Sequence, residues 1–197
     1  MKKILLALAS TLLLPSMSYA APCVDGPNPD GCKIETTGID YTLTGDISTT
    51  GYAGYGLYLL NSANNTTTLT GDISTTGDDA NGLYLFNSHN NTTTLTGDIS
   101  TGIVDDVTGH DSYGLYLSGS HNNTTTLTGD ISTTGDNGRG LVFSDSNYNT
   151  TTLTGGISTG SVDGIMGDYA HGLYLSDSNY NTTTLTGDIS TTGNYAH

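Results

Sequence analysis

Groups capable of chemistry return along this chain at fixed intervals. Asp46, Asp72, Asp98, Asp130 and Asp188 hold one place in a recurring phrase, with Gly156 the exception. Carboxylates stacked in a file repel one another, and a divalent cation between them is one remedy. The Gly-Gly-x-Gly-x-Asp calcium nonapeptide is absent, so solvation and screening are the simpler remedy. Asn65, Asn91, Asn123, Asn149 and Asn181 each precede Thr-Thr-Thr. All match the Asn-x-Ser/Thr acceptor pattern, yet the same residues suit a ladder of amide hydrogen bonds at a bend. Tyr58, Tyr84, Tyr116 and Tyr174 recur in a second phrase, with Val142 as the gap. Such rings can stack on sugars or on each other.

Catalysis finds no foothold in this pattern. Ser, His and Asp are plentiful, but they fall inside repeats, whereas an active site needs one unrepeated constellation. Arg139 is the only arginine. We expect a non-enzymatic protein, with no catalytic residue, no metal ligand and no cofactor.

What must position these residues is a repeat. Leu-Thr-Gly-Asp-Ile-Ser-Thr begins at Leu43, Leu69, Leu95, Leu127 and Leu185, and a Gly variant begins at Leu153; the spacings are 26, 26, 32, 26 and 32 residues. The two long copies carry six extra residues at one place. A fixed period with insertions at one phase marks a solenoid, because corners tolerate extra residues and stacked strands do not. Leu69 and Ile73 are four apart and share one face of an extended chain, with Thr68 and Thr70 opposite. Leu83 and Leu85 share a face and Tyr84 points away. Apolar residues never recur at helical spacing. The glycines equivalent to Gly71, Gly77 and Gly82 are assigned to corners needing positive φ.

The expected fold is all-β: a parallel β-helix of about six coils of 26 or 32 residues, right-handed by crossover statistics. An antiparallel array of hairpins is the competing arrangement. The interior would hold ladders running from Leu43 to Leu185 and from Ile47 to Ile189. The pairs Leu57/Leu59, Leu83/Leu85, Leu115/Leu117, Leu141/Phe143 and Leu173/Leu175 would complete it. If Leu69 points inward, Thr66, Thr68 and Thr70 point outward, as do Thr92/Thr94/Thr96, Thr124/Thr126/Thr128, Thr150/Thr152/Thr154 and Thr182/Thr184/Thr186. A solvated strand favours such β-branched polar residues in any case.

The ends of the chain read differently. Lys2 and Lys3 precede the apolar run Ile4 to Leu14, and Ser18 and Ala20 fit a cut after Ala20, so residues 1–20 read as a secretory signal peptide. Pro22 before Cys23 argues against a lipid anchor. Without the leader the chain keeps two cationic residues against nineteen acids, 2 − 19 = −17. That balance repels phosphate backbones and excludes nucleic-acid binding. Cys23 and Cys32 are the only cysteines, and in an exported chain a disulfide closing residues 21–38 into an N-terminal cap is the natural reading. Metal binding lacks two further ligands nearby. Residues 39–197 form the repeats, which stop mid-phrase at His197. That stop reads as truncation of a longer product, the alternative being a complete small solenoid with a frayed last coil.

A signal peptide, a cap and acidic Thr/Gly/Asn-rich β-helix repeats resemble the passenger of a bacterial autotransporter. The resemblance spans the mature chain in architecture and composition and reaches no active-site motif. It implies surface display or secretion by export machinery, and adhesion to glycans or proteins of host or bacterial surfaces. It also implies a C-terminal β-barrel translocator in the full-length product. The location would be the outer membrane or the medium, or the periplasm if the barrel is truly absent. The candidate binding face comprises Thr68, Thr70, Thr94, Thr96, Thr126 and Thr128 together with Tyr58, Tyr84, Tyr116 and Tyr174. The threonine array also resembles the face of ice-binding β-solenoids, which supplies the alternative function.

Overall fold

The computed structural model describes residues 18–19, 31–102, 111–160, 169–193 and 195–196. Cys23 lies outside these, so the expected Cys23–Cys32 bridge does too; Cys32 itself is buried. Most residues of the two insertions, 103–110 and 161–168, also fall outside.

The described chain is all-β, in three parallel sheets that it visits in rotation. We name each sheet by its outward or inward signature. The tyrosine sheet holds Cys32–Ile34, Leu57–Leu60, Leu83–Phe86, Leu115–Ser118, Leu141–Ser144 and Leu173–Ser176. The threonine sheet holds Asp40–Thr44, Thr66–Thr70, Thr92–Thr96, Thr124–Thr128, Thr150–Thr154 and Thr182–Thr186, with Ser18–Tyr19 paired to its first strand. The isoleucine sheet runs from Ile47–Thr50 through Ile73–Thr76, Ile99–Gly102, Ile131–Thr134 and Ile157–Gly160 to Ile189–Thr191. Each strand pairs in parallel with its counterpart one repeat away, identical position on identical position: Leu95 with Leu127, Ile99 with Ile131, Tyr84 with Tyr116. This is a parallel β-solenoid, and the hairpin array is excluded. The segment assigned to the cap contributes the first strand of the tyrosine sheet, and Ser18 and Tyr19 pair beside Asp40 and Tyr41.

Alternation decides what enters the core. In Thr-Thr-Thr-Leu-Thr strands the burial runs exposed, buried, intermediate, buried, exposed. Leucine and the middle threonine therefore turn inward. The expected ladders are present: Leu69, Ile73, Leu85, Leu95, Leu117, Ile131 and Phe143 have essentially no exposure. Each interior aliphatic contributes about 1.5–3 kcal/mol on burial. That burial needs a coil above and a coil below, so stability comes from neighbours. The last rung shows the consequence. Leu173, Leu175 and Ile189 sit at interior positions yet are 38%, 45% and 47% exposed.

Two glycine phases behave as expected and one does not. Gly97 has φ +145°, and a Cβ there would run into the Gly71 carbonyl below. Gly77 also has positive φ, at +128°. Gly82 does not. It is glycine because a Cβ would collide with the Ile99 methyl Cγ2 of the next coil. The third glycine is thus a packing notch for isoleucine, which corrects the corner assignment.

Candidate binding faces

The outward threonines form a lattice. Three ranks run the length of the threonine sheet, headed by Thr66, Thr68 and Thr70, each in register with Thr92, Thr94, Thr96 and onward through Thr124, Thr126, Thr128. Parallel strands lie about 4.8 Å apart and alternate residues about 6.6 Å apart. The outer ranks are exposed and the middle one, with Thr68, Thr94 and Thr126, is half-buried between them.

The tyrosine file is geometrically different. Tyr58 and Tyr84 stack with centroids 5.0 Å apart and planes 9° off parallel; Tyr84 and Tyr116 stack at 4.8 Å and 1°. Tyr55 and Tyr113 pack edge-on against this column. Burial, reinforced by the neighbouring phenols, holds the Tyr84 hydroxyl well above its ordinary pKa; burial does the same at Tyr113. Ring faces inside the file are covered by other rings. What it offers a ligand is ring edges and hydroxyls rather than a stacking surface.

Val142 breaks the file between Tyr116 and Tyr174. Arg139 fills the break. Its guanidinium carbon lies 4.1 Å from the Tyr174 ring centroid and 5.7 Å from that of Tyr113. His171 stacks on Tyr174 at 5.6 Å. Nothing in the sequence placed Arg139 here except its uniqueness and the missing tyrosine three residues on.

The asparagines are a buried amide ladder, as the sequence suggested. Asn91 Nδ2 donates to Asn123 Oδ1 (3.2 Å), Asn123 Nδ2 to Asn149 Oδ1 (3.1 Å), and Asn149 Nδ2 to Asn181 Oδ1 (3.1 Å). Beside it runs a ladder the sequence reading missed, in which Ser88, Ser120 and Ser146 accept the backbone N–H of Ser62, Ser88 and Ser120. The signal was there, as Asn/Asp/Gly-Ser three residues before each asparagine.

The aspartates are not a naked charge file. The N–H of Asp72 donates to Asp46 Oδ1, that of Asp98 to Asp72, and that of Asp130 to Asp98, at 2.8–2.9 Å. Asp46, Asp72 and Asp98 therefore each have a backbone donor from the next coil, a remedy beyond solvation and screening. Gly156 donates to Asp130 Oδ1 but returns no carboxylate. An open depression of about 300 Å³ lies at this step, bordered by Asp130, Gly156 and Asp188 and by the outward Ser132, Ser158 and Ser190.

Two histidines share another corner. His89 and His121 stack at 5.2 Å. His89 Nδ1 accepts the N–H of His121, and His121 Nδ1 accepts that of Asn147. Each neutral ring therefore carries its proton on Nε2. Burial, followed by the neighbouring ring of His121, lowers the His89 pKa.

No family model matches the chain, and no curated protein or solved structure matches it either.

Proposed function

We propose that this chain is the non-enzymatic solenoid of an exported protein displayed on the cell surface, similar to the N-terminal part of an autotransporter passenger and acting by adhesion. The supporting observation is a regular parallel solenoid whose outer faces carry hydroxyl and phenol groups at fixed spacing. Such a scaffold suits repeated weak contacts, which gain by multivalency. The leader-like N-terminus supports export. The experiment is to fuse the chain to an autotransporter barrel and follow its fate. We expect cleavage after Ala20, protease-accessible display, and attachment of displaying cells to glycan-coated or protein-coated surfaces that bare cells ignore. Retention inside the cell with the leader uncut, or display without any attachment, would overturn the reading.

Ice binding is the second reading, and one observation favours it: the three in-register threonine ranks. The same threonines suit any solvated strand, so we expect no thermal hysteresis. Clear hysteresis that a Thr94→Tyr, Thr126→Tyr double variant abolishes would promote this reading over the first.

A further inference from the structure

We propose that Arg139 and Tyr169 form a site for a carboxylate-bearing sugar on the outer face of the tyrosine sheet. The proposal deepens the adhesive reading by giving it a ligand class, and it rests on that reading for its biological setting.

The starting point is a solitary cation. The chain has nineteen acids, yet among the described residues the one ion pair is Lys33–Glu35 and Arg139 has no carboxylate partner. Its guanidinium lies on the Tyr174 ring and near that of Tyr113. Stacking uses the faces of the guanidinium plane and leaves its edge. Of five N–H donors, one is engaged among the described residues, Nε with the Tyr169 carbonyl at 3.5 Å. The fork at Nη1 and Nη2 is held in orientation by the rings and has the geometry of a bidentate carboxylate partner.

Tyr169 supplies the second half. It sits at a corner with φ +58°, where earlier coils place Ala53, Asp79, Asp111 and Asn137 and the following coil places Tyr195. Tyrosine is a poor choice in the left-handed region, where Asn and Asp are cheaper. Its ring is 49% exposed. Tyr195 covers one face at 5.4 Å. Its backbone carbonyl reaches back to Arg139 in the preceding coil. Tyr169 thus keeps about half its surface exposed on the residue whose carbonyl meets Arg139 Nε. A pyranose ring on the phenol with its carboxylate on Arg139 uses both. The net negative chain repels anions at long range, but at physiological salt that repulsion is screened beyond about 8 Å. Recognition then depends on contact at Arg139.

The probes are methyl glucuronide, N-acetylneuraminic acid and neutral methyl glucoside, titrated into the purified protein and followed by ligand-observed NMR. Both acids should bind at least about tenfold more tightly than the glucoside, and added salt should weaken them. Arg139→Gln should lower acid affinity at least about tenfold, and Arg139→Lys, which keeps the charge but not the fork, should fall between. Tyr169→Asn, which restores a residue type used at this corner, should fold normally and weaken the sugars while leaving acetate binding unchanged. Equal binding of glucoside and glucuronide, or full binding by Arg139→Gln, overturns the site. Competition by polyglutamate as effective as by sugar overturns the sugar class in favour of an acidic peptide. Displaying cells separate the two proposals. Solution binding without attachment to glucuronate-coated surfaces rejects the adhesive reading and keeps the site. Attachment unchanged by Arg139→Gln keeps the adhesive reading and rejects the site.

Discussion

Ile99 and Ile189 occupy the same place in the same phrase, one in a central coil and one in the last. Ile99 is 1% exposed and Ile189 is 47% exposed. Leu117 and Leu175 show the same contrast, 0% against 45%. The first rung does not share the fate of the last: Ile34, Leu43 and Ile47 are all buried. Inward orientation is thus written into each repeat, but burial is not. It is supplied by whatever lies above and below, so the cost of a substitution depends on the coil in which it falls.

The sharpest way to break this contrast is to place a charge at both isoleucines. Ile99→Asp buries an unpaired carboxylate between two coils and should abolish folding, a loss above about 5 kcal/mol. Ile189→Asp should leave a cooperative unfolding transition by circular dichroism. Equal damage at both positions would show that the last rung is as covered as the centre. Truncation probes the same difference with less force. Leu117→Ala should cost about 3 kcal/mol in urea denaturation, and Leu175→Ala less than about 1.

Acid should reveal a difference among the central coils. His89 and His121 hold a corner position that the next two coils fill with Asn147 and Asn179. Both Nδ1 atoms accept backbone N–H groups and must stay unprotonated to do so. The His89 pKa is lowered from its ordinary value of 6.5, so the unfolded chain binds the proton more readily than the folded one. The associated stability is full above pH 6.5 and is lost as the pH falls through the depressed native value. Between pH 7.5 and 5 the parent should lose more stability than a His89→Asn, His121→Asn variant. Identical pH slopes would remove the histidines from the account. The smallest effect concerns Gly156. Its Cβ position is open apart from the Asp188 carbonyl at 3.2 Å, and Gly156→Asp should extend the carboxylate–amide ladder to the last coil. We expect a gain of a few tenths of a kcal/mol, read as a slightly higher midpoint. A loss would mean that the open step serves something else.

The sequence revealed whatever one coil determines by itself. Period-two alternation set the inward Leu and Ile, the outward Thr and Tyr, and the asparagine at its corner. It failed where meaning depends on the residue in the coil alongside. Gly82 looks like a turn glycine until Ile99 is set beside it. The aspartates look like repelling charges until the next coil offers its amides. Arg139 looks like an isolated cation until Val142 is seen to leave a gap in the tyrosine file. Each is a contact between neighbouring coils, and no local pattern signals it.

The strands lie across the solenoid and their hydrogen bonds run along it. Tension applied to the two ends therefore loads the rungs in series rather than in parallel. The protein should yield one coil at a time, beginning at the open last rung. Each short coil would release roughly 26 × 3.6 Å, or about 90 Å, of slack, and each long one about 115 Å. Pulled by a single-molecule tether, it should behave less like a rod that snaps than like a winch that pays out line under modest load.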